Sequence, residues 1–263
     1  MQAMPELDGL IAAAEAAADA AGAVIRPLFR VGLAAEAKGD DSPVTIADRN
    51  AEQAMRTVLE KRFPEHGILG EELGSQQSTA GLCWVLDPID GTRAFITGRP
   101  VFGTLVALLR DGRPILGIID QPVTGERWIG AVGRRTEFRG RFGGRVGCRP
   151  CPGLNQAELS LTSPDILGSD DKVRWERLHE VARRTSFGGD CYAYGLLALG
   201  QIDIIAEATL KTWDWAALVP VIEGSGGRLT DWHGNPLTPD SDGHALAVGD
   251  PTLLPSAIAL LGS

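Results

Sequence analysis

Apolar residues near the start of the chain return at helical intervals: Leu7, Leu10, Ile11, Ala14, Ala18, Ala21, Val24, Ile25 and Leu28. The spacing lays them along one face and predicts a long first helix, kinked or ended at Pro27, which has no amide hydrogen to donate. After a polar loop over Lys38–Pro43, Thr45-Ile46-Ala47-Asp48 reads as a capping box opening a helix to about Phe63. Pro64–Gly67 is a turn, Ile68-Leu69-Gly70 leads into Glu71, and the small polar residues from Gly74 to Gly81 read as a loop. Trp84-Val85-Leu86 is an apolar run that predicts a buried strand, breaking at Asp87-Pro88 because proline cannot continue a central ladder. A short helix follows over Arg93–Gly98. Val101–Leu109, Ile115–Ile119 and Trp128–Val132 predict an antiparallel meander, with Asp111-Gly112 as its first hairpin turn.

The second half opens beyond the Arg- and Gly-rich stretch Arg134–Gly153, which marks a soft boundary; the two halves are taken as residues 1–145 and 146–263 of one compact unit. Leu159–Thr162 reads as a strand and Asp171–Arg184 as a helix. Phe187–Cys191 turns into a helix over Tyr192–Leu199. Ile202–Glu207 alternates poorly, which suits a strand buried on both faces. A helix from Trp213 to Glu223 ends at Ser225-Gly226-Gly227. Arg228–Thr230 and Ala245–Val248 are late strands, and Pro251–Leu261 is the closing helix.

Composition narrows what such a chain does. Its 263 residues, 44% of them hydrophobic, are enough for a full core. A net charge of −9 excludes the basic footprint of a nucleic-acid or membrane surface. It leaves room for a phosphate ester, because bound metals invert the local field. No apolar run is long enough to span a bilayer, the first residues lack a basic signal-peptide region, and four cysteines fit a reduced cytoplasmic chain. Cys148 and Cys151 have zinc-knuckle spacing without a second pair nearby. The four histidines, His66, His179, His233 and His244, fall outside every motif and read as surface or loop residues.

The chemistry gathers at acid-bearing junctions. In Trp84-Val85-Leu86-Asp87-Pro88-Ile89-Asp90-Gly91-Thr92 a strand stops on two carboxylates and opens onto Gly-Thr. Carboxylate and carbonyl oxygens suit a hard cation such as Mg²⁺, and free N–H groups at a helix start suit a phosphate. The plainer alternative is a helix N-terminus with Asp90 as its cap. Two further junctions, Gly70-Glu71-Glu72 and Trp213-Asp214-Trp215, tilt the reading toward a site.

These three motifs, in this order and spacing, resemble the inositol monophosphatase family of metal-dependent, lithium-sensitive phosphatases, and the resemblance runs over nearly the whole chain. It implies a mixed α+β fold, a layered α-β-α-β-α sandwich, and a small-molecule phosphate ester as substrate. It implies two or three Mg²⁺ ions, with Mn²⁺ acceptable, and a homodimer. By resemblance, Asp87 bridges two metals, Glu71 and the Ile89 carbonyl complete one site, and Asp90 and Asp214 complete the other. Gly91 and Thr92 offer N–H groups to the phosphate. Asp48 and the Thr92 hydroxyl position the attacking water; Asp48 alone reads equally as a helix-capping residue. Glu72 supports its neighbour, and Lys38 neighbours a third metal.

Within the family two departures bear on the substrate. The inositol branch usually has Asn where this chain has Ala94, and Gly188-Gly189-Asp190-Cys191 places an added acid where the substrate's organic part should lie. Glu207 matches the family's substrate-binding glutamate. Gly189, Asp190 and Glu207 are therefore the candidate substrate residues, and two carboxylates facing an organic group suit a cation better than a neutral polyol. The pattern is similar to the histidinol-phosphatase branch. Capping of the following helix is the structural alternative for Asp190, and an arginine partner that for Glu207. Of Tyr192 and Tyr194, helical spacing lets at most one face the substrate. An inositol-type or broad monophosphatase is the neighbouring reading; a catalytically retired binding subunit is disfavoured by the intact acid set.

Overall fold

A computed structural model describes residues 5–32, 36–37 and 43–262. Helix α1 (Pro5–Ile25) gives way to a single 3-10 turn over Arg26–Leu28, which accommodates Pro27. Strands β1 (Glu36–Ala37) and β2 (Pro43–Val44) pair antiparallel, so part of the expected polar loop is a small ladder; Lys38 lies outside the described residues. Helix α2 (Ile46–Arg62) starts as its sequence predicts, with Thr45 as N-cap and Asp48 closing the capping box.

Next come β3 (Gly67–Gly70), β4 (Gly74–Gln76), β5 (Leu82–Asp90), α3 (Thr92–Ile96), β6 (Gly103–Arg110), β7 (Arg113–Gln121), β8 (Glu126–Ala131) and β9 (Glu137–Arg139). Their strands form a seven-stranded sheet in the order β4-β3-β5-β6-β7-β8-β9. Only the β3–β5 pair is parallel; β6, β7 and β8 form the expected antiparallel meander, and β4 and β9 add antiparallel edges that the sequence did not predict. The chain then runs through β10 (Glu158–Leu161), α4 (Ser169–Val181), β11 (Arg184–Phe187), α5 (Asp190–Ala198), β12 (Ile204–Glu207), α6 (Thr212–Trp215), α7 (Leu218–Gly224), β13 (Arg228–Thr230), β14 (Ala245–Val248) and α8 (Leu254–Leu261). These strands make a five-stranded mixed sheet, β11-β10-β12-β14-β13.

Side-chain alternation along the strands sorts the core into three layers. Trp84, Leu86, Val106, Leu108 and Ile118 face one way, under the alanine-rich face of α1 and the Met55 and Leu59 stripe of α2. Their neighbours Val85, Leu105, Ala107 and Ile119 face the other way, onto Leu197 of α5, Val221 and Ile222 of α7, and Ile205, Ala245 and Ala247 of the second sheet. Ile204, Ala206, Leu246 and Val248 on the far side of that sheet pack on Trp175 and Leu178 of α4 and on Ala257 and Leu261 of α8. The result is the α-β-α-β-α sandwich, with β12 buried on both faces as its sequence suggests.

Several expectations are corrected. The strand does not break at Pro88: β5 runs on to Asp90 through an irregularity opposite β6 between Asp87 and Asp90. There the Thr104 hydroxyl donates to the Pro88 carbonyl at 2.8 Å; a bulge accommodates a residue that cannot donate to the ladder. The polar segment after Gly74 begins with edge strand β4 rather than a loop, and the helix expected to reach Arg184 ends at Val181, before edge strand β11. The helix expected from Trp213 to Glu223 is two short helices, α6 and α7. His66 is no surface residue: it is 5% exposed and stacks on Phe63 with ring centroids 4.6 Å apart.

Candidate active site

The C-terminal end of β5 carries Asp87, Ile89 and Asp90 to one edge of the large sheet. Asp87 is 1% exposed, and its Oδ1 accepts the Ile89 N–H at 3.0 Å, which turns the carboxylate back over its own strand. The Oδ2 of half-buried Asp90 accepts the N–H of Cys191, tying the strand end to the start of α5. Asp214 arrives from α6, where its Oδ2 accepts the Lys211 N–H at 2.6 Å. Carboxylate oxygens of Asp87, Asp90 and Asp214 all lie within 4.8 Å of one another. Glu71 borders this set: its N–H donates to the Leu86 carbonyl at 3.2 Å, and its charge is the largest of those acting on Asp87.

Such an arrangement is electrostatically costly when bare. Burial, then Glu71, Asp90 and Asp214, push the Asp87 carboxyl well above the usual range. Burial, Asp190 and Asp214 do the same to Asp90. Asp214 is pushed up to about 7 by burial and by Glu71 and Glu207, against the Lys211 N–H. Converging carboxylates of this kind need cations or protons between them. An all-oxygen donor set fits a hard divalent ion such as Mg²⁺ or Mn²⁺.

Asp48 caps α2 and also reaches Thr92. One oxygen accepts from the Thr45 N–H at 2.9 Å and the Thr45 hydroxyl at 2.6 Å; the other accepts from the Thr92 hydroxyl at 3.3 Å. Thr92 Oγ1 also lies 3.1 Å from the Ile89 carbonyl. Burial raises the Asp48 pKa. Gly91, at φ +91°, turns the chain from β5 into α3.

A cavity of about 520 Å³ opens from these acids. Asp190, Glu207 and Tyr194 also line it, and Phe187, Ile166 and Leu210 are among its apolar residues. Gly188, Gly189 and Asp190 follow one another at φ +86°, +118° and +42°. Left-handed backbone is cheap for the glycines and costs a non-glycine residue roughly 1–2 kcal/mol, and strain of this kind is characteristic of functional positions. Gly189, rather than Asp190, is the N-cap of α5, and no side-chain cap is made, so the capping alternative for Asp190 falls away. Its carboxylate instead lies against the turn of the first motif: a Cβ on Gly91 would stand 2.8 Å from Asp190 Oδ2. Burial and the Glu207 charge push Asp190 up to about 7, against the opposing pull of Arg99 and Arg93.

Glu207, 3% exposed, accepts the Thr162 N–H at 2.8 Å and the Tyr194 hydroxyl at 2.9 Å, so its partners are not the arginine considered for it. Tyr194 therefore faces the site. Tyr192 points away: its hydroxyl donates to Glu126 at 2.8 Å and its ring stands edge-on to Trp128. Ala94 is buried in the core beneath α1 and does not line the cavity, so the departure at that position makes no contact with a ligand there. Cys148 and Cys151 are free thiols, and the one metal-competent cluster among the described residues excludes them. Sequence reasoning missed Arg93 and Arg99 on the cavity wall. The position of Arg93 directly after Thr92 was the available signal; Arg99 is brought in by the turn after α3, which no periodicity announces.

The inositol monophosphatase family model matches residues 6–261. The chain is 48% identical, over 92% of its length and 70% of the relative's, to the chloroplastic bifunctional phosphatase IMPL2 of Arabidopsis thaliana. It is 38% identical to a histidinol-phosphatase of Mycobacterium tuberculosis, covering 83% of this chain and 86% of the relative. Among solved structures, an inositol monophosphatase from Zymomonas mobilis superposes over 100% of both chains with a TM-score of 0.89 and 47% identity.

Proposed function

The chain belongs to the inositol monophosphatase family of phosphoric monoester hydrolases, and from that premise we propose that it hydrolyses L-histidinol phosphate to L-histidinol and phosphate, a step of histidine biosynthesis. The observation that carries the substrate reading is the pair of carboxylates, Asp190 and Glu207, that line the cavity in addition to the acidic cluster. Histidinol phosphate presents an ammonium and an imidazole to that pair; a polyol presents only hydroxyls.

In this reading Glu71, Asp87, Asp90, Asp214 and the Ile89 carbonyl hold two Mg²⁺ ions. When bound, they supply Lewis-acid neutralisation of the phosphoryl oxygens. The chain's own residues do the rest. The N–H groups of Gly91 and Thr92 orient the phosphate. Asp48 accepts the Thr92 hydroxyl proton, leaving the threonine oxygen free to accept from the attacking water, and the pair aligns that water for in-line displacement without a covalent enzyme intermediate. Asp190 and Glu207 fix the ammonium and imidazole end, with Glu207 held in place by Thr162 and Tyr194. The reading also takes the enzyme as a homodimer.

An inositol-1-monophosphatase or broad-specificity enzyme is the second reading, favoured by the likeness to the Zymomonas mobilis inositol monophosphatase. Product inhibition separates the two. L-Histidinol, a cation without a phosphate, should compete with substrate, and myo-inositol should not. Competition by myo-inositol alone sinks the histidinol reading.

A further inference from the structure

Helix α2 carries three buried charged side chains at intervals of four: Asp48, Glu52 and Arg56. Four-residue spacing puts them on one face. Asp48 reaches Thr92, and the other two have no part in the mechanism above. Glu52 is fully buried and Arg56 6% exposed. A buried carboxylate demands full compensation, and Glu52 obtains it from three directions. The Arg56 Nε donates to its Oε1 at 2.8 Å, the Glu72 N–H to its Oε2 at 2.7 Å, and the Leu73 N–H to its Oε1 at 3.2 Å. Arg56 in turn donates to the carbonyl of Gly74. Gly70 makes room for this, since a Cβ there would lie 1.9 Å from Glu52 Oε1.

Apart from the Arg56–Glu52 pair, which lies within α2, these contacts fall on the 70–74 segment that carries Glu71. The Glu71 N–H is held by Leu86 of β5, and the next two N–H groups and the Gly74 carbonyl are held by α2. We propose that Glu52 and Arg56 are positioning residues that clamp the 70–74 turn, presenting the Glu71 carboxylate to the divalent ion beside Asp87. The proposal rests on the reading of Glu71 as a metal ligand. It makes α2 the helix that sets both the attacking water, through Asp48, and one metal ligand, through Glu52. Supports of this kind change metal affinity by about 10–100-fold when removed.

The test is Mg²⁺ binding by isothermal titration calorimetry on the folded full chain, with kcat measured at saturating Mg²⁺. Glu52→Gln is expected to weaken Mg²⁺ binding on the order of 10-fold, while kcat at saturating Mg²⁺ stays near wild type. Arg56→Lys keeps a cation against Glu52 but loses the reach to Gly74; it should weaken binding several-fold and serves as the deciding variant if Glu52→Gln does not fold. Leu261→Ala, in the core layer beneath α8, is the control for general destabilisation and should bind Mg²⁺ normally. Wild-type affinity in folded Glu52→Gln, or in Arg56→Lys where it decides, overturns the proposal. So does a loss no greater than that of Leu261→Ala. Glu71→Gln tests the underlying reading separately: if it too binds Mg²⁺ normally, the ligand assignment fails rather than the clamp.

Discussion

The Thr92 hydroxyl reaches across 44 positions of sequence to the carboxylate oxygen of Asp48 that the capping box leaves open, at 3.3 Å. The same side chain therefore caps α2 and meets Thr92, which lines the cavity. Asp48→Asn should separate the two roles. An asparagine still accepts from Thr45, so the cap costs at most about 1 kcal/mol, a melting shift of a few degrees. Proton transfer to a positioned base contributes roughly 10²–10⁴-fold, and kcat should fall by about that much. A variant with lowered stability and normal kcat would leave Asp48 only its helix.

Asp190 should discriminate between substrates. A charge-assisted hydrogen bond contributes about 1.5–3 kcal/mol, or about 10–100-fold. Asp190→Ala is therefore expected to raise KM for histidinol phosphate by about that factor and to leave KM for inositol 1-phosphate nearly unchanged. The substitution also removes a like charge facing Glu207 and Asp90, so the metal-free variant should melt no lower than wild type. Steady-state kinetics on both esters, with calorimetry in EDTA, check both halves.

Gly91 serves the phosphate end instead. At φ +91°, with a Cβ position 2.8 Å from Asp190 Oδ2, alanine is strained and crowded there. Gly91→Ala should cost about 1–2 kcal/mol of stability from backbone alone. It should lower kcat/KM for both esters, because the phosphate is common to both, and more for the histidinol ester, because the new Cβ crowds Asp190 Oδ2. An unchanged kcat/KM for inositol 1-phosphate would remove Gly91 from the phosphate site.

Stability should respond to pH and metal together. In the metal-free protein the carboxyls of Asp190 and Asp214 sit at about 7, above the roughly 4 of an unfolded aspartate. Between those values the folded state holds protons that the unfolded state has released. Stability then falls as pH rises from about 4 through about 7. Mg²⁺ held by Asp214 would replace its proton. The rise in Tm on adding Mg²⁺ should be larger at pH 8 than at pH 5, and binding should release protons. Equal Tm rises at the two pH values would contradict a carboxylate metal site.

The acid-bearing junctions were legible because their carboxylates stand beside apolar residues, in or after a strand for Glu71, Asp87 and Asp90 and between two tryptophans for Asp214, and the central strands because their side chains are buried on both faces. Strands β4, β9 and β11 were not, and each is a sheet edge. Their side chains are mostly exposed, so no apolar alternation marks them. The bulge at Pro88 was hidden for a different reason: the ladder continues only because Thr104, on the neighbouring strand, supplies a bond to its carbonyl. The role proposed for Glu52 was not legible because, beyond the i,i+4 pair with Arg56, its partners are backbone groups of a turn about 20 residues downstream, which no side-chain motif records.

The central claim is the identity of the organic group, and phosphate release from L-histidinol phosphate and inositol 1-phosphate, side by side, with Mg²⁺ and with EDTA, tests it most directly. The account predicts Mg²⁺-dependent release with a strong preference, in kcat/KM, for the histidinol ester. Equal or greater turnover of the inositol ester would contradict it, leaving the acidic centre intact and removing the role assigned to Asp190 and Glu207.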